Sequence, residues 1–240
     1  MENTSVSVNL SKFLRAIASN NREMDESSFF DSLIGIYDGL THGRQLPLCV
    51  HDFSLNDESA GNIISTLKNI LQNQGVSCIN QMSAPLTYLL DELICNIQQH
   101  ACTDKGYAYI GYDSIKKTVE LIIADAGITI YGSYVSAQKY LELIGNSDAE
   151  ALSLAQSGYS TKNLPNAENR GYGISSNIRM VVEGLHGEFA VLSGNALLIH
   201  SVDKKKILAL PQEVDLKGTM VIVSFPASIP EDFNLYNYIV

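Results

Sequence analysis

Apolar positions recur along this chain with two different periods, and the period switches several times from one end to the other. Ahead of residue 45 lie two stretches, LSKFLRAIASN and ESSFFDSLIGIYDGL, that read as short helices and end at the turn residues of THGRQLP. The apolar run LPLCVHDF predicts a strand. Asn56 and Asp57 then precede a further amphipathic stretch, SAGNIISTLKNILQNQG, which closes on Gly75 as helices often do. PLTYLLDELICNIQQHA carries the strongest helical period in the sequence. GYAYIGYDS and TVELIIAD predict strands, YVSAQKYLELIGNS a helix, and the polar SGYSTKNLPNAENRG a mobile loop. ISSNIRMVVEGLHG predicts a helix leaving at Gly187. The remainder is rich in strands: EFAVLSG, NALLIHSV, KKILALP and GTMVIVSFP, with Lys204, Lys205 and Lys206 expected in a hairpin turn.

Helices ahead of and between strands, followed by four consecutive strands, predict the α+β class. The expected architecture is a two-layer α/β sandwich with a mixed, mostly antiparallel sheet and helices on one face. A helical N-terminal extension is expected over 1–45, the domain over 46–228 and a tail over 229–240. No internal repeat or low-complexity block interrupts the pattern.

Composition narrows the function classes. With 45% apolar and 18% charged residues, the 240-residue chain can bury a sizeable core. Sixteen Lys and Arg against 26 Asp and Glu leave a formal charge of −10, which speaks against a surface built to grip nucleic acid. No window reaches the roughly 18 apolar residues of a membrane span, and the N-terminus has no secretion-signal pattern, so a cytoplasmic protein without membrane contact is expected. Cys49, Cys78, Cys95 and Cys102 form neither a CxxC pair nor a zinc-like spacing, and are expected as buried free thiols in a reducing compartment.

Four elements could carry chemistry. On the helix of PLTYLLDELICNIQQHA, about 100° per residue gathers Leu86, Leu90, Leu93, Ile94, Ile97 and Ala101 into one apolar arc. Glu92, Asn96 and His100 form a polar stripe flanking it, facing either solvent or a cleft. A carboxylate and a carboxamide one turn apart can serve as a base and as a Mg²⁺ oxygen ligand. The second element is Asp125, which closes the strand of VELIIADAG at a pocket rim or in a plain turn, with Gly127 letting the chain approach a ligand. In the third, Thr161 and Lys162 lie in the polar loop, while Arg170, Gly171 and Gly173 lead into a helix whose free N–H groups can approach phosphate. The fourth is KGTMVIVSFP, with Gly218 and Thr219 at a strand start or in a β-turn.

Read in order, DELICNIQQHA, ADAG, GYSTK, NRGYGISS and KGTMVIVSFP resemble the GHKL (Bergerat-fold) ATPase superfamily. That group includes gyrase, chaperone and mismatch-repair ATPases, sensor histidine kinases and anti-sigma-factor serine kinases. The resemblance spans roughly residues 48–226. It implies ATP and Mg²⁺ as cofactors, with ATP or ADP bound. It implies that Asn96 holds Mg²⁺, that Asp125 receives the adenine amino group with Thr219 in support, and that Gly127 shapes the base pocket. Thr161 and Lys162 belong to the GYSTK lid motif, Lys162 and Arg170 would approach the phosphates, Gly171 and Gly173 would cradle them, and His100 would lie beside them or serve as a structural histidine. Glu92 falls where the ATPases and anti-sigma kinases carry a catalytic carboxylate. Thr129 departs from the family pattern, standing where Asp-x-Gly-x-Gly has its second glycine.

Neither His42 nor His51 lies on a long helical hairpin, so a complete sensor histidine kinase is not expected. Two functional readings stay open. One is a regulatory protein kinase or switch of the anti-sigma-factor type, acting on a hydroxyl of a protein partner. The other is a nucleotide-gated binding or assembly module, or an ATP domain working with a separate histidine phospho-acceptor. A homodimer is compatible with either.

Overall fold

The computed structural model describes residues 51–55, 57–76, 79–161, 172–210 and 216–238. The two N-terminal helical stretches, Cys49 and Cys78 lie outside the described residues. Alternating and apolar runs form seven strands: β1 (His51–Ser54), β2 (Lys105–Asp113), β3 (Thr118–Asp125), β4 (Glu188–Gly194), β5 (Ala196–Ser201), β6 (Lys204–Ala209) and β7 (Leu216–Pro226). They make one sheet in the order β1-β2-β3-β7-β4-β5-β6. Every pairing is antiparallel, so the α+β class holds while no parallel pair appears among the described strands.

The helices are α1 (Asp57–Asn73), α2 (Ile79–His100), α3 (Ile130–Ala137), α4 (Leu141–Ile144), α5 (Asp148–Gln156) and α6 (Tyr172–Ile178), the last continuing into a π-helical turn at Arg179–Gly184. Side chains alternate across a strand, so Val119, Leu121 and Ile123 of β3 share a face with Val221 and Val223 of β7. That face packs against Leu67 and Leu71 of α1 and Leu86, Leu90 and Leu93 of α2 in one continuous core. The apolar arc read from the sequence on α2 is buried throughout. The intervening positions, among them Ile122, Ile222 and Ala190, are buried as well. Central strands covered on both faces read as near-continuous apolar runs, which is the pattern of TVELIIAD and GTMVIVSFP.

Several boundaries differ from the sequence expectation. α2 begins at Ile79, so Pro85 sits inside the helix instead of opening it. An interior proline removes one backbone hydrogen bond at a cost of roughly 3 kcal/mol, offset here by burial of Ile79, Met82 and Pro85 itself. The single helix expected over YVSAQKYLELIGNS is broken where Gln138 and Tyr140 adopt left-handed φ values of 53° and 57°. α5, capped by the Ser147 side chain accepting from the Glu150 N–H, buries only Ala151 and Leu152, too few for a helical period to show. At the exit of the π-helical turn His186 takes the positive φ, 54°, instead of Gly187. Lys204, Lys205 and Lys206 lie in β6 and not in a turn; lysines along an edge strand discourage further strand pairing. Cys95 is half-buried and Cys102 exposed, neither in a disulfide, so only part of the expectation of buried thiols holds.

The tail folds back on the helical layer. Phe233 and Tyr238 stack with ring centroids 5.7 Å apart, and Arg179 Nη2 donates to the Asn237 carbonyl at 3.0 Å. Leu90 is fully buried where α2 meets the sheet. Leu90→Ala is therefore expected to lower unfolding free energy by about 2–5 kcal/mol in urea titration, without changing the slope of the transition.

Candidate functional site

The polar stripe of α2 faces inward. Glu92, Asn96 and His100 are each half-buried, while Asp91 and Gln99 beside them are exposed. The reason is the period: the stripe abuts the apolar arc, and the arc fixes the rotation of the helix against the sheet.

Beneath α2, three neighbouring strands present a row of polar side chains on the helix-bearing face. Asp125 of β3 is in register with Thr219 of β7, which is in register with Ser193 of β4. The Gly127 N–H donates to Asp125 Oδ1 at 2.9 Å. The Thr219 backbone N–H donates to the same carboxylate. Ser193 Oγ lies 3.0 Å from Thr219 Oγ1 and accepts from the Ile130 N–H at 2.9 Å, tying the start of α3 to the row. Asp125 is only 3% exposed. Burial disfavours the charged form and pushes its carboxyl up to about 7, against which the two backbone N–H groups act in the opposite direction.

One cavity joins the stripe to the row. Of the residues singled out from the sequence, Asn96, His100, Asp125, Thr161, Gly173 and Thr219 line it. It holds about 860 Å³ of empty space, including its open mouth. Leu93, Ile97, Ile123 and Val221 contribute apolar walls. A flat, largely apolar group with one polar edge fits such a space, the edge meeting Asp125.

Two expected residues stand just outside the lining. A methyl group at Gly127 would strike the carbonyl of Ala101, whose oxygen also accepts from the Ile128 N–H at 2.7 Å. Gly127 thus shapes the site from behind, by letting the turn after β3 press on the end of α2. Glu92 lies with Asn96 against Gly173: a methyl group at Gly173 would come 3.0 Å from Glu92 Oε2 and 3.3 Å from both amide atoms of Asn96. Lys162, Arg170 and Gly171 lie outside the described residues.

His100 reaches Thr161. Its Nδ1 is 2.8 Å from Thr161 Oγ1, which is in turn 3.1 Å from Ser133 Oγ of α3. Tyr134, buried beside them, donates from its hydroxyl to the Tyr159 carbonyl at 2.6 Å. Ser133, Tyr134 and Ser193 carry no motif that marks them in the sequence, and Tyr159 lies within GYSTK but is not singled out there; only the inward parity of Ser193 at the end of EFAVLSG is readable. Thr129, the departure from the glycine pattern, has φ −70° and caps α3, its side chain accepting from the Gly132 N–H. Nothing there requires a glycine.

The donor set bears on which groups the site can hold. Asn96 Nδ2 is buried without a hydrogen-bond partner, which costs about 1–3 kcal/mol until something fills the space beside it. Among the described residues no three His, Cys, Asp or Glu side chains cluster as a metal cage. A single amide oxygen with a carboxylate one turn away suits Mg²⁺ carried in by phosphates and water, since that ion seldom uses an all-protein cage. No described helix is long and apolar enough to cross a membrane. No family model matches the chain, and no curated protein matches it.

Removing the buried charge has a signed consequence. Because the folded protein holds the Asp125 proton up to about pH 7 and an unfolded aspartate releases it near 3.8, wild-type stability falls as pH rises between those values. Asp125→Asn without ligand should match the wild type near pH 4 and exceed it above pH 7, by on the order of 4 kcal/mol at most, read from urea unfolding at each pH.

Proposed function

We propose that this chain is an ATP-binding regulatory protein whose cavity takes the adenine of ATP or ADP. The observation that carries this reading is the pairing of Asp125 and Asn96 across one apolar-walled cavity on the helix-bearing face. In its ionised form the Asp125 carboxylate accepts from the exocyclic amino group of the base, with Thr219 in support. Asn96 would hold Mg²⁺ on the phosphate side. When bound, that ion neutralises charge on the phosphate oxygens. Gly173 allows the backbone close to Glu92 and Asn96, and Thr161 is held against His100 in the cavity lining. Resemblance to the GHKL superfamily supports the same assignment and makes a Bergerat-type fold the natural reading of the sandwich.

Within that reading, the activity proposed is phosphoryl transfer to a serine or threonine hydroxyl of a protein partner. Glu92 accepts the hydroxyl proton, and positioning with electrostatic stabilisation supplies most of the catalysis. A second reading has one observation in its favour. Glu92 is not among the residues lining the cavity, as suits a module in which nucleotide only orders the lid and gates assembly.

Heating with Mg-ATP or Mg-ADP should raise the melting temperature of the wild type, and Asp125→Asn should abolish the rise; no rise in the wild type defeats the proposal. Since the ionised carboxylate of Asp125 is the stronger acceptor for the amino N–H, and its carboxyl titrates at about 7, apparent affinity should weaken from pH 8 to pH 6, by about tenfold at most. A flat calorimetric affinity over that range contradicts the assigned contact. Glu92→Gln separates the two activities: nucleotide binding is retained in both, but label transfer from ATP to a partner protein is lost only if Glu92 is the base.

A further inference from the structure

Three polar side chains meet at one wall of the cavity although the sequence carries them on separate segments. His100 closes α2, Ser133 lies in the first turn of α3, and Thr161 follows α5. Thr161 Oγ1 is 2.8 Å from His100 Nδ1 and 3.1 Å from Ser133 Oγ, which lies 3.5 Å from the same nitrogen. All three are half-buried and line the cavity. A hydroxyl has one proton to give and lone pairs that accept. When Ser133 donates to Thr161 Oγ1, Thr161 donates to His100 Nδ1, and the neutral imidazole keeps its proton on Nε2.

Other hydroxyls of the lining serve the fold. Thr129 caps α3, Tyr134 donates to the Tyr159 carbonyl, and Thr219 pairs with Ser193. Thr161 is instead held against a base. A hydroxyl and an imidazole at such a separation form the arrangement that turns an alcohol into a nucleophile. Residues four apart on a helix are neighbours, so the imidazole stands beside Asn96, on the side of the cavity assigned to phosphates. Glu92 is not among the residues that line this space.

We propose that Thr161 is this chain's own phospho-acceptor, taking the γ-phosphoryl group of ATP with His100 as proton acceptor. The inference rests on the reading of the cavity as a nucleotide site. The bond that forms joins Thr161 Oγ1 to the γ-phosphorus. The bond that breaks links that phosphorus to the oxygen shared with the β-phosphate, and its electron pair leaves on ADP. The Thr161 proton passes to His100 Nδ1, and the imidazolium then faces the new phosphate ester. Phosphothreonine carries a charge of about −1.5 to −2. Placed in the lining, that charge repels the phosphates of the next nucleotide, so the modification weakens binding at the site that made it.

The full chain is incubated with Mg-ATP, digested and examined by mass spectrometry, beside a melting curve of the same sample with Mg-ADP. Phosphate is expected on Thr161, at a rate per chain that does not change with protein concentration, because acceptor and nucleotide share one cavity. A wild type that Mg-ADP stabilises but that gains no phosphate at Thr161 overturns the inference and leaves the nucleotide reading standing. So does a rate that climbs in proportion to concentration. A wild type that neither nucleotide stabilises removes both readings. Once phosphorylated, the chain should show a smaller rise in melting temperature with Mg-ADP; an equal rise overturns the placement.

His100→Gln should slow phosphate uptake by about a hundredfold or more, and an unchanged rate overturns the assigned base. Should that variant fail to fold, the nitrogen resonances of His100 in the nucleotide-free wild type decide instead. They are read at about pH 8, above the ordinary imidazole range. A bare Nδ1 with the proton on Nε2 is expected; a proton on Nδ1 overturns the proposal.

Discussion

A carboxylate held out of water at the end of a central strand is the constraint around which the rest of the site is arranged. Asp125 is nearly inaccessible, and the backbone N–H groups of Gly127 and Thr219 donate to its side chain. Two such bonds offset part of the desolvation cost and leave the carboxyl titrating near neutrality, far from an ordinary aspartate. Keeping that group buried while leaving one side open to a cavity requires β7 in register beside β3. It also requires the turn at Gly127 pressed on Ala101 and α2 rotated so that its polar stripe looks down on the same space. Each of these is a packing demand met by apolar residues some distance from any chemistry.

Much of this was readable in the sequence because it is written in periodicity. The arc of Leu86, Leu90, Leu93, Ile94, Ile97 and Ala101 fixed the rotation of α2, and with it the inward aim of Glu92, Asn96 and His100. Six of the residues named from motifs line one cavity although up to 123 positions (219 − 96) separate them in the chain. What escaped reading has physical reasons. Pro85 looks like a helix start, because a local rule cannot see that Ile79 and Met82 have burial waiting for them. Gln138 and Tyr140 break a helical pattern with left-handed residues that carry no glycine to announce them. Ser193 supports Thr219 and α3 only through a cross-strand register, and a register is a long-range property.

The residues around Thr161 link α2 to α3. His100 from the end of α2, Ser133 from α3 and Thr161 converge within hydrogen-bond distance, and Tyr134 fastens Tyr159 just before them. A change at Thr161 therefore meets the same helix that carries Asn96 and Glu92. The aromatic contacts of Tyr140 with Tyr134 and Tyr159, with centroids 6.0 Å and 5.2 Å apart, brace these residues from outside. The residues around Thr161 and the polar stripe thus share a single helix, α2.

The most direct measurement is the titration of the Asp125 side chain itself, followed through its carboxyl carbon resonance in isotopically labelled protein. Without nucleotide its midpoint should lie near pH 7, the value that burial imposes. With saturating ADP the midpoint should fall toward the ordinary aspartate range, because an amino group donating to the carboxylate stabilises its ionised form. A midpoint that ADP leaves unmoved would contradict the assignment of this carboxylate as the group that recognises the base.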